Sequence, residues 1–169
     1  MAGPAAPEVP KGKTVIKNVG LMLSGALENP VLDADTLIAV DGRITAFGKE
    51  KDVDTDQADV TIDAHGTALC PGLIDSHVHP VFGDWTPRQN QTNWIDSSMH
   101  GGVTTMISAG EVHLPGRPKD PKGVVALGIT AQRCFSAFPI GGVKMHAGAP
   151  ILEKGMVEED FKELSEAGV

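Results

Sequence analysis

The residues of this chain best able to do chemistry are His77-Val78-His79. Side chains two apart on a β-strand project to the same side, so both imidazoles can converge on one point while Val78 turns to the other face. Neutral imidazole nitrogens ligate Zn²⁺ and similar divalent ions at about 2.0–2.1 Å, and a strand end holds two such ligands with little further ordering. By itself an H-x-H tripeptide among six histidines is a weak sign. Its setting strengthens it, because the pair follows Leu73-Ile-Asp-Ser, which reads as the first strand of a strand-helix series, and barrels of that kind build their sites at the C-terminal strand ends. Simple alternation places Asp75 on the same face as His77, where it can orient an imidazole or serve equally as a turn or packing carboxylate. Cys70 and Cys134 have no C-x-x-C partner, so any metal here takes nitrogen and oxygen ligands.

The elements that must position this pair fall into two rhythms. From Thr14 to Cys70 the chain reads as short strands forming an antiparallel β unit: Thr14–Val19 with Leu21–Leu23 as a first strand pair, then Asp59–Asp63 and Thr67–Cys70 around a turn at Ala64-His65-Gly66. The strongest local signal is Thr36–Val40 and Arg43–Phe47 around Asp41-Gly42, a hairpin whose two-residue turn demands positive φ. From Pro71 onward strands alternate with helices. A helix through Trp94, Ile95 and Met99 closes at Gly101-Gly102, and Val103–Ile107 is a strand. Asp120 and Pro121 begin a second helix, with Val124, Val125, Leu127, Ile129 and Cys134 on its buried side. Gly141–Met145 is a third strand, and Val157, Phe161 and Leu164 line a last helix that stops at Gly168. The expected architecture is α/β: a disordered tail over 1–13, an antiparallel β-sandwich portion over 14–70, and the first three βα units of a (β/α)₈ barrel over 71–169. A complete barrel takes about 250 residues, so the barrel is expected to be truncated.

The stretch Pro71-Gly-Leu-Ile-Asp-Ser-His-Val-His79 after a β-rich segment resembles the opening of the amidohydrolase superfamily, metal-dependent hydrolases on a (β/α)₈ barrel with a flanking β-sandwich. Gly83–Gln89, Gly101–Gly110, Pro115–Asp120 and Ile151–Gly155 resemble the enamidases, cyclic-amide hydrolases within it. The resemblance implies that His77 and His79 are first-strand ligands of a two-metal site, with zinc the expected ion and iron or manganese alternatives. The bridging acid, two later histidines and the catalytic aspartate of the family fall beyond Val169, so no residue here takes those roles. The implied reaction is attack of a metal-bound hydroxide on the lactam carbonyl of a partly reduced 6-oxonicotinate-like ring, and the implied partner is that small cyclic amide. Its carboxylate calls for a cation, for which Arg88 and Arg117 are candidates beside the alternative of solvated loop arginines. His113 and His146 stand on the expected rim and are candidates for lining the pocket, with surface roles as the alternative. The other function class is a non-catalytic or split-protein piece that needs another chain to complete the barrel, and the 169-residue chain alone is expected to be inactive.

Composition limits the partners. The 169 residues are 41% hydrophobic with a net charge of −8. That supports a globular core and argues against nucleic acid or an anionic membrane surface. No stretch reaches the ~20 apolar residues of a membrane helix, and the first residues do not read as a secretory signal. A cytoplasmic enzyme, homo-oligomeric at full length, is expected.

Overall fold

The structure, a computed structural model, describes residues 11–80, 92–109, 116–137, 142–148 and 150–169. The chain divides into two compact units, Glu8–Pro71 and Gly72–Val169.

In the first unit, β1 (Lys13–Lys17), β4 (Thr36–Val40), β5 (Arg43–Gly48) and β6 (Val60–Asp63) form a four-stranded sheet in the order β5-β4-β1-β6. The strands β2 (Leu21–Leu23), β3 (Val31–Leu32) and β7 (Ala68–Leu69) form a second sheet in the order β3-β2-β7. The Asp41-Gly42 hairpin is as expected: both residues have positive φ, 49° and 73°, which matches the twist of the flanking strands. Three other expectations are corrected. The unit is mixed rather than antiparallel, since β6 runs parallel to β1 and β7 parallel to β2. Both late strands arrive after long excursions, so each can add to an open edge in the direction of its neighbour, as a hairpin cannot. β1 and β2 are not a pair but lie in different sheets, because Asn18 with φ 55° and Gly20 turn the chain between them. At Gly20 a Cβ would stand 2.1 Å from the Gly66 carbonyl oxygen, so only glycine permits that crossing. Gly12 and Lys13, expected in the tail, are tied in by Asp41 and Asp59, whose carboxylates accept from their N–H groups at 2.9 and 2.7 Å. Ile16 and Leu37 from one sheet and Met22, Leu32 and Leu69 from the other share one apolar cluster with Val19 and Ala34.

In the second unit, β8 (Leu73–Val78), α1 (Thr92–His100), β9 (Val103–Ser108), α2 (Pro121–Ala137), β10 (Lys144–His146) and α3 (Glu158–Glu166) alternate along the chain. The strands form a parallel sheet in the order β10-β9-β8. Val78, Met106 and Met145, one from each strand, form its core with Val143 and Ile95 of α1, and Phe135 of α2 packs against them. The start of α2 is fixed as the sequence indicates: Asp120 Oδ1 accepts from the Gly123 N–H at 2.9 Å. Its buried stripe differs, running through Val124, Val125, Gly128 and Ala131, while Cys134 is exposed. The reason is the close approach of α3, whose Leu164 Cδ2 would lie 2.8 Å from a Cβ at Gly128. Leu164 is the buried residue of α3, with Val157 and Phe161 exposed. The third strand begins at Lys144 rather than Gly141, a residue outside those described. Among the described residues no helix is long and apolar enough to cross a membrane.

Candidate metal centre

β8 carries the histidine pair out of the core. Val78 is 6% exposed and packs into the apolar cluster, whereas His77 and His79 on either side of it are exposed. Their rings meet edge to face, with centroids 4.9 Å apart and planes at 82°. The two side chains therefore project together on the side away from the helices, as period-two alternation requires.

That separation fits a shared ion. Two imidazoles this close on one strand are the neutral nitrogen donors that zinc and similar divalent ions take. Among the described residues no group of three or more potential ligands gathers.

Asp75 is placed differently from the simple alternation. The β8–β9 register shifts between Asp75 and Val78, and Asp75 Oδ1 accepts from the His77 backbone N–H at 3.1 Å. The carboxylate thus stabilises the irregular backbone that carries the pair.

Of the rim candidates, Arg88 and His113 lie outside the described residues. His146 is the last residue of β10 and pairs with Ile107 of β9. Met145 beside it is buried in the core, so Lys144 and His146 lie on the opposite face of the strand. Two strand spacings separate the backbones of β10 and β8, roughly 10 Å. Arg117 precedes α2 and is engaged: Nη2 lies 2.8 Å from Glu153 Oε1, and Nη1 donates to the Pro118 carbonyl at 3.0 Å.

The sequence reading missed three residues around the exit of β10. Gln132 of α2 accepts from the Ala147 N–H through Oε1 at 2.8 Å. Gly148 lies so close to the end of β9 that a Cβ would stand 2.1 Å from the Ser108 carbonyl oxygen. Glu153 is the partner of Arg117. Only the last carried a signal, an acidic residue in the Ile151–Gly155 stretch.

No family model matches the chain. Enamidase of Eubacterium barkeri is 52% identical over 158 residues, 93% of this chain and 41% of that protein. A solved enamidase structure, described as a new member of the amidohydrolase superfamily, matches with a TM-score of 0.82 and 51% identity over the same shares. Imidazolonepropionase of Paenarthrobacter aurescens is 38% identical over 98 residues, 57% of this chain and 23% of that protein. The chain thus spans about two fifths of enamidase and less of the other relative.

Proposed function

We propose a function from the premise that over 93% of its length the chain resembles enamidase and, through it, the amidohydrolase superfamily, in both sequence and fold. From that premise we propose that it is the N-terminal part of a metal-dependent amidohydrolase that hydrolyses a C–N bond in a cyclic amide. The proposed substrate is an enamidase-like one, a partly reduced 6-oxonicotinate-type lactam. The observation that carries the reading is the convergence of His77 and His79 at the end of the first strand of a parallel αβ sheet.

His77 and His79 hold a divalent ion, zinc or alternatively iron or manganese, and a second ion shares the site once the barrel is complete. When bound, such ions acidify water and polarise a carbonyl. The chain's own residues do the rest of what this segment contributes. The two imidazoles fix the ion at a strand tip, and Asp75 holds the backbone leading into His77 in its irregular form. His146, about two strand spacings away, is the proposed pocket-lining residue of β10, while Arg88, proposed for the substrate carboxylate, and His113, proposed for the pocket lining, lie outside the described residues. Arg117 was expected to share that duty, but its guanidinium is already engaged.

The test is metal analysis and a lactam panel on the protein produced from its complete coding sequence. Stoichiometric divalent metal together with ring opening of the carboxylated lactam supports the proposal. A protein that folds, binds no divalent ion and opens no lactam sinks it. A split-protein reading, in which a second polypeptide completes the barrel, draws on the exposed Leu73 and Ile74 of β8, and co-purification of a second chain would favour it.

A further inference from the structure

We infer that Arg117 and Glu153 form a positioning clamp, which locks the segment leaving β10 onto the segment entering α2 and so fixes the strand end that carries His146. The His146 part of this inference rests on the hydrolase reading above.

The pair is built for holding rather than for capture. Arg117 and Glu153 are only 18% and 20% exposed, so their 2.8 Å contact is screened less than a surface ion pair. Val124, Leu127, Ile151 and Pro150 line the small cavity beside Arg117, which lowers the local dielectric. Both Nη atoms of the guanidinium meet protein acceptors, Glu153 and the Pro118 carbonyl. A fork engaged in this way is a poor receptor for a further carboxylate, which would also face the charge of Glu153.

Its place in the topology gives the clamp its effect. β9 and β10 are neighbours in the sheet, and the pair joins the segments that follow them. The exit of β10 is held at two more points before Glu153 is reached: Ala147 by Gln132, and Gly148 by its seat against the Ser108 carbonyl. His146 directly precedes this anchored run. Releasing Glu153 frees the far end of the run, and the backbone of His146 gains the play that the other two anchors leave.

Two readouts on the complete protein test this, using R117Q, E153Q and the double variant. Amide hydrogen exchange of peptides covering 147–157 should quicken about tenfold in each single variant, and the double variant should be no faster, as expected for residues acting as one unit. With the carboxylated lactam, kcat should fall about tenfold in all three while KM stays within about twofold, the pattern of lost positioning. Unchanged exchange in E153Q, or additive effects in the double variant, overturns the clamp. So does a rise in KM confined to the carboxylated lactam and seen in R117Q but not E153Q, which would make Arg117 a substrate ligand. Exchange is read without turnover, so a protein that opens no lactam sinks the hydrolase reading while the clamp is still decided by exchange.

Discussion

Gly148→Ala is expected to be among the more damaging single-methyl changes in the second unit. The new Cβ would lie 2.1 Å from the Ser108 carbonyl oxygen and 2.5 Å from Ile107 Cγ2. Ordinary contact between nonbonded heavy atoms is about 3.5 Å, so one backbone must retreat by roughly 1.4 Å. The nearest atom is the main chain of β9, which is hydrogen-bonded on both sides and cannot yield as a side chain does. Overpacking typically costs 1–3 kcal/mol, and a backbone wall puts this case at about 2–3 kcal/mol. For a chain of this size that corresponds to a fall in Tm of about 5–10 °C, read by thermal unfolding of the 169-residue chain followed by circular dichroism. Gly128→Ala is the matched control. There the Cβ would lie 2.8 Å from Leu164 Cδ2, the far end of a flexible side chain, and at ordinary contact from the Val169 side chain, 3.7 and 3.8 Å. The helix gains about 1 kcal/mol when glycine becomes alanine, which offsets most of the crowding, so Tm should stay within about 3 °C. A Gly148→Ala chain that melts within about 1 °C of its parent, or a Gly128→Ala chain that melts more than about 3 °C below that parent, would refute the steric reasoning.

Three other outcomes are expected. Replacing His77 or His79 by alanine in the complete protein should remove most bound metal by elemental analysis and lower kcat by about 10³-fold or more, since each supplies half of the strand's ligands; retention of full metal by either variant would count against a shared ion. Asp120→Ala deletes the acceptor for the Gly123 N–H and should cost about 1 kcal/mol, seen as a lower denaturant midpoint with an unchanged slope. Asp63 is held below the usual carboxylate range, first by the His65 backbone N–H and then by the Asn18 amide. Its stabilising effect is therefore present above the unfolded value of about 3.9 and is lost as pH falls through the lower folded value. Asp63→Asn should flatten the loss of stability measured below about pH 4, and an unaltered acid profile would show that the turn contributes nothing to it.

Local rules were enough for much of this molecule. Asp41-Gly42 specifies its hairpin because few other dipeptides accept two positive φ angles, and Asp120-Pro121 specifies a helix start because the capping acceptor and the preset φ act within one turn. The projection of His77 and His79 to one side follows from strand periodicity alone, as does the burial of Val78 between them. The superfamily resemblance is likewise carried by contiguous residues, Pro71 to His79.

Tertiary structure decided what depends on residues far apart in the chain. Which edge β6 and β7 would join, and in which direction, is a choice between open strand edges that local sequence does not encode. The buried stripe of α2 runs through Gly128 and Ala131 instead of Cys134 because α3 arrives there, and hydrophobicity gives no weight to a glycine that makes room for a leucine. Arg117 reads as a free cation in sequence, and only the fold brings Glu153, thirty-six positions later, within 2.8 Å of it. Periodicity and capping act over one or two turns, whereas strand addition, helix contact and ion pairing are settled only when distant segments compete for the same space.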